Sequence, residues 1–120
     1  MKTVLTVDDS ASVRQMVKFT LAGSGYTIME AEDGRDGLAK AGSAQVDMVV
    51  TDLNMPNMNG MDLIRELRKL PAYKGTPIIF LTTESSPEMK QEGKAAGASG
   101  WLTKPFNQEQ LLSIVKKFIG

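Results

Sequence analysis

The sequence predicts an open α/β sheet of five parallel strands, and three observations carry that expectation. Short, apolar, β-rich runs alternate with stretches of helical periodicity, strand then helix, five times from one end to the other. No linker, internal repeat or low-complexity tract interrupts the alternation. With 120 residues, 42% of them hydrophobic, the chain is long enough for one core and too short for two. Strand–helix alternation implies parallel strands joined by right-handed crossovers, with helices on both faces. Eight such units close a barrel, whereas five leave the sheet open.

The first strand is expected over Thr3–Val7, followed by a helix in which Val13, Met16, Val17 and Leu21 share one apolar face. A second strand over Tyr26–Glu30 leads to a helix stopped at Gly42. The third strand, Met48–Thr51, runs into a loop shaped by Met55 and Pro56, and Gly60 permits a tight turn into a helix with Ile64, Leu67 and Leu70 on one face. After the fourth strand, Pro77–Leu81, Ser86 reads as an N-cap with Pro87 at the first helical position and Gly97 as the stop. This fourth helix is the weakest: its apolar positions are Met89, Ala95 and Ala96, and Gly93 inside it costs about 1 kcal/mol against Ala. It is expected to be mobile. The fifth strand, Gly100–Thr103, precedes a helix capped by Asn107 with Gln110, whose apolar positions are Leu111, Leu112, Val115 and Phe118.

Composition narrows the chemistry. Fourteen Lys and Arg balance fourteen Asp and Glu, so no net field concentrates polyanions, and neither nucleic acid nor an anionic membrane is expected as primary partner. No apolar run approaches the ~20 residues of a membrane helix and no signal-peptide pattern opens the chain, so a cytoplasmic location is expected. Cysteine and histidine are both absent. That removes disulfides, thiolate nucleophiles, imidazole bases and zinc sites built on nitrogen or sulfur. Oxygen chemistry remains, with a hard metal such as magnesium or calcium.

In open parallel sheets ligands sit at the carboxyl ends of the strands. Those ends carry Asp8 and Asp9 after the first strand, Asp52 after the third, Thr82 after the fourth and Lys104 after the fifth. Three converging carboxylates repel one another unless a cation neutralises them, and Lys104 is the one cation these strand ends supply. Magnesium typically takes one or two carboxylates plus a phosphate oxygen, so the set suits a metal bridging to a phosphoryl group. Singly, each Asp reads as a helix cap or loop starter; five polar groups at successive strand ends read as one site.

The segments VDDS at 7–10, TDLNMPNMNG at 51–60, LTT at 81–83 and TKPF at 103–106 resemble the response-regulator receiver family, over essentially the whole chain. An end just after the fifth helix and AAGASGWLTKPF at 95–106 resemble its single-domain chemotaxis-type members most. The resemblance implies a flavodoxin-like (βα)5 three-layer sandwich with strand order 2-1-3-4-5, residues 1–120 forming one receiver domain. It implies that Asp52 accepts a phosphoryl group from the phosphohistidine of a sensor histidine kinase. It further implies magnesium held by Asp8, Asp9, Asp52 and the backbone carbonyl of Asn54, with Lys104 paired to a phosphoryl oxygen. Thr82 takes the place of the switch hydroxyl and Trp101 that of the aromatic that turns inward with it, Glu84 and Asn54 match positions that tune phosphate loss, and the Lys104–Pro105 bond is expected to be cis. The implied protein is a monomeric signalling switch that catalyses only its own phosphorylation and slow dephosphorylation, acting on an output protein such as a flagellar motor switch component. Two positions depart from the family pattern: Trp101 stands where Tyr or Phe is usual, and Thr83 is bulkier than the common small residue.

Other chemistries fit less well. A calcium loop over Asp52–Leu63 lacks both its Gly and its bidentate Glu. Asp52-Leu53-Asn54 echoes the nucleophile motif of haloacid-dehalogenase-type phosphatases, without the Asp two residues on that acts as the acid. A flavin carrier needs backbone donors and hydroxyls after the first strand, where this chain is acidic.

Overall fold

Strands and helices alternate without exception in the computed structural model, which describes residues 2–120: β1 (Thr3–Val7), α1 (Ala11–Ala22), β2 (Thr27–Ala31), α2 (Gly34–Ser43), β3 (Met48–Thr51), α3 (Gly60–Lys69), β4 (Ile78–Thr82), α4 (Pro87–Ala96), β5 (Gly100–Thr103) and α5 (Gln108–Ile119), with a 3-10 turn at Pro71–Tyr73. The five strands form one parallel sheet in the order β2-β1-β3-β4-β5. Side chains alternate across a strand, so each buried strand feeds two layers. On one face Leu5, Val7, Val49, Ile78 and Phe80 pack with Leu63, Ile64 and Leu67 of α3 and Ala41 of α2. On the other, Val4, Met48, Val50, Ile79 and Leu81 meet Val17 and Leu21 of α1 and Leu111 and Val115 of α5. The result is a three-layer sandwich.

The caps fall where the side-chain chemistry places them. Ser86 accepts from the Met89 N–H with Pro87 at the first helical position, and Gly97 closes α4 in the left-handed region at φ 114°. Asn107 and Gln110 form a reciprocal capping box at α5. Four expectations need correction. β2 and β4 each lie one residue later than the apolar runs suggest, which makes Thr82 the last residue of β4. Gly42 does not stop α2: the helix continues through Ser43 and ends at an extended Ala44, because nothing forces Gly42 out of helical geometry. Met16 is not on the buried face of α1. It is 46% exposed beside a 74% exposed Phe19, while Val17 and Leu21 carry the packing. Leu70 lies just past α3 as its extended C-cap and is only partly buried. Among the described residues no helix is long and apolar enough to cross a membrane.

Candidate functional site

All five polar groups read from the strand ends gather at the carboxyl edge of the sheet. β1 and β3 are neighbours, and the Asp52 N–H donates to the Val7 carbonyl (2.9 Å), which sets Asp52 beside the β1–α1 turn. One carboxylate oxygen from each of Asp8, Asp9 and Asp52 lies within 4.8 Å of the others. From β5, across the β4 neighbour, Lys104 reaches back: its Nζ donates to Asp8 Oδ2 at 3.0 Å and lies 3.5 Å from Asp52 Oδ2. The Lys104–Pro105 bond is cis.

Burial differs sharply among the three acids. Asp8 is 2% exposed, Asp52 is half-buried and Asp9 is exposed. Burial pushes the Asp8 carboxyl above its ordinary value, against the Ser10 N–H and the Lys104 ammonium, which pull it down. The capping role falls to Ser10, whose hydroxyl accepts from the Val13 N–H, so Asp8 is not spent on the helix. A buried acid whose charged form is disfavoured by burial, with two more carboxylates within reach, suits a hard divalent cation with oxygen donors. Asp8, Asp9 and Asp52 are the side chains that would hold it.

The loop that follows Asp52 is shaped by close approach rather than by a turn conformation at Gly60. A Cβ on Gly60 would overlap the Asp52 carbonyl oxygen and press on Phe80 at 2.9 Å, and Gly60 itself opens α3. The left-handed residue is Asn57, at φ 68°, with the Met58 N–H bonded to the Pro56 carbonyl at 2.7 Å, an i to i+2 turn. Met55 packs against the core, as expected of a loop-shaping residue, and Asn54 is exposed. Asp52 Oδ1 accepts from the Leu53 N–H at 2.7 Å.

Thr82 is fully buried beside this edge, and a chain of bonds leads from it to Trp101. The Glu84 N–H lies 3.3 Å from the Thr82 hydroxyl, and the Glu84 carbonyl accepts from the Trp101 indole N–H at 2.8 Å. The indole is half-buried against Phe80, with ring centroids 4.9 Å apart and planes at 52°. Glu84 thus contributes through its backbone. Thr83 is exposed.

Two groups of residues were invisible to the strand-end argument. Arg14, on α1, donates to the Asp8 carbonyl at 2.6 Å and lies 3.3 Å from Glu30, a second cation beside the acidic turn that comes from a helix and not from a strand end. Its position on the strand-facing side of α1, four residues past Ser10, is the available signal. Asp33 at the start of α2 and Asn57 of the loop meet at 2.7 Å, and only Asn57's tolerance of the left-handed region hints at its place.

Comparison with known proteins agrees with this geometry. Residues 4–116 match the family model described as Response regulator receiver domain. The chain is similar to the solved structure of chemotaxis protein CheY4 of Vibrio cholerae, at 53% identity and a TM-score of 0.95 over 98% of both chains. It is 35% identical to chemotaxis protein CheY1 of Helicobacter pylori, over 98% of this chain and 96% of that one. A second similar structure is the response regulator protein TrrA of Thermotoga maritima in complex with Mg(2+)-BeF, at 36% identity and a TM-score of 0.88 over 98% of this chain and 99% of that one.

Proposed function

The chain belongs to the response regulator receiver domain family, a CheY-like member of two-component signalling, and from that premise we propose that Asp52 is its phosphoacceptor. The observation that carries this reading is the Lys104 ammonium lying between Asp8 and Asp52, with three carboxylate oxygens within 4.8 Å. An Asp52 oxygen attacks the phosphorus of a phosphohistidine on a sensor histidine kinase of the CheA-like kind. The O–P bond forms as the N–P bond breaks, and the imidazole leaves with the electron pair. Lys104 pairs with a phosphoryl oxygen, exchanging its contact with Asp52 for one with the new group. Asp8, Asp9, Asp52 and the Asn54 carbonyl hold magnesium, which offsets the crowded negative charge when bound. Residues 1–120 act as one receiver domain, in the cytoplasm and as a monomer, and the only reactions catalysed are its own phosphorylation and slow dephosphorylation.

Thr82 turns its hydroxyl toward the phosphoryl oxygens and so withdraws from Glu84, which loosens the Glu84–Trp101 bond and alters the surface around α4, β5 and α5. The output partner is a protein such as a flagellar motor switch component. Capture of the phosphorylated protein, with no capture of the unphosphorylated protein, supports that partner; equal capture of both points to a phosphate sink or relay. The test of the phosphoacceptor is Asp52→Asn with magnesium and acetyl phosphate. The nearly isosteric variant folds and takes no label, and labelling at the wild-type level would overturn the assignment.

A further inference from the structure

The loop between Asp52 and α3 carries two of the groups assigned above, Asp52 and the Asn54 carbonyl, yet it crosses the exposed edge of the sheet. What holds it comes from both ends. At the near end the Leu53 N–H bonds to Asp52 Oδ1 and the Leu53 carbonyl accepts from Gly60 N–H at 2.9 Å. At the far end the loop leans on the start of α2 through two bonds running in opposite directions. The Gly34 N–H donates to the Met58 carbonyl at 3.0 Å, and Asn57 Nδ2 donates to Asp33 Oδ2 at 2.7 Å. Gly34 allows this approach because a Cβ there would overlap the Met58 carbonyl and side chain.

Asp33 is well placed to anchor the loop. It is 8% exposed, and its other oxygen, Oδ1, accepts from the Asp36 N–H at 2.8 Å as the α2 N-cap, so the carboxylate cannot rotate without uncapping the helix. Asn57 sits at φ 68°, a conformation an Asn accepts and a β-branched residue resists. With 52–53 and 57–60 pinned, the orientation of the Asn54 and Met55 peptides between them is set by those two anchorages.

We propose that Asp33 and Asn57 are positioning residues for the phosphoacceptor loop: their hydrogen bond holds the loop at the height where the Asn54 carbonyl joins the carboxylates around magnesium. The proposal rests on the magnesium-dependent reading given above. Neither residue touches the reacting atoms. Outer groups that orient metal-binding atoms typically change metal affinity 10- to 100-fold when lost, and this bond reaches the metal through three residues of loop, so the smaller end applies.

The test uses magnesium alone, read by titration calorimetry, beside acetyl phosphate labelling of the same proteins. Asn57→Gly keeps the left-handed backbone and removes the donor. It is expected to bind magnesium about 10-fold more weakly, and to label slowly at low magnesium and normally at saturation. Asn57→Asp faces a second carboxylate to Asp33 and weakens binding further, although its added negative charge alone would tighten it. The double variant Asp33→Asn with Asn57→Asp restores a donor–acceptor pair with the polarity reversed, keeps the helix cap, and returns affinity to within about 2-fold of wild type. Thermal unfolding in chelator separates these effects from loss of fold. Wild-type affinity in Asn57→Gly, tighter binding in Asn57→Asp, or no recovery in the double variant would each overturn the proposal. A wild-type protein that binds no magnesium, or an Asp52→Asn that still labels, would instead overturn the phosphoacceptor reading.

Discussion

Asp8 and Asp33 show at the scale of single residues how two buried aspartates of one edge titrate in opposite senses. Burial raises the Asp8 carboxyl above its ordinary 3.8, so the folded state resists its ionisation. Folding is therefore least burdened below pH 3.8 and loses stability as the pH rises through the raised value. Asp33 is held below 3.8 by the Asp36 N–H first and the Asn57 amide second; its contribution is present above 3.8 and lost as the pH falls through the lowered value. Asp8→Asn is accordingly expected to be more stable than wild type in chelator at pH 7, with the gain shrinking toward pH 3.5. Urea midpoints at the two pH values check this, and a variant no more stable than wild type at pH 7 would refute it.

At the scale of elements, α4 is held at one end and light at the other. The Arg68 guanidinium donates twice to the Gly97 carbonyl, at 3.2 and 2.7 Å, and also to the Tyr73 and Thr76 carbonyls, which fastens the C-terminal end of α4 to the start of β4. Toward the N-terminus α4 relies on the Ser86 cap, partly buried Met89 and an exposed Arg65–Glu92 pair worth little in water. Gly93 is not merely a weak helix former. A Cβ there would lie 3.0 Å from both Phe80 Cε2 and Trp101 Cζ3, so the glycine lets α4 seat on the two rings. Gly93→Ala therefore fails to deliver the ~1 kcal/mol that helix propensity promises and shifts Trp101 emission; chemical denaturation with fluorescence reads both, and a clean gain of that size would show the contact to be unimportant. On phosphoryl mimicry, hydrogen exchange is expected to change between Pro87 and Phe106. A change confined to the surroundings of Asp8 and Asp52 would refute propagation to α4.

For the whole molecule, the proposed phosphorylation requires that a charge placed at Asp52 reach a surface on another element. Thr82, Glu84 and Trp101 form a bonded path across β4, its following loop and β5. At the proposed site magnesium would add charge compensation among the carboxylates and give the Thr82 hydroxyl no new acceptor, whereas a phosphoryl mimic would supply oxygens. Trp101, the only tryptophan, should thus change its emission little with magnesium and clearly with magnesium plus beryllofluoride. Thr82→Ala blunts the second response while beryllofluoride still binds. An equal response to magnesium alone, or an unaltered response in Thr82→Ala, would show that Trp101 is not coupled through Thr82.

Periodicity, capping residues and the side chains at strand ends determined much of this protein by themselves. The five-fold alternation forces a parallel sheet, Ser86 with Pro87 and Asn107 with Gln110 start their helices, and Asp8, Asp9, Asp52, Thr82 and Lys104 had to share an edge once the strands ran parallel. All of these are properties of a short window or of its direction. The order of the strands was not among them and came only through the family resemblance, because alternation says that strands pair and not which ones. Tertiary structure alone decided that Met16 faces solvent while Val17 is buried, and that Gly60 and Gly93 serve close approach. It also brought Arg14 to the Asp8 carbonyl, Asn57 to Asp33 across 24 residues, and Lys104 to Asp8 across 96. Such contacts depend on which backbone or side-chain oxygen a distant segment presents once the layers pack, and a sequence window holds no record of that neighbour.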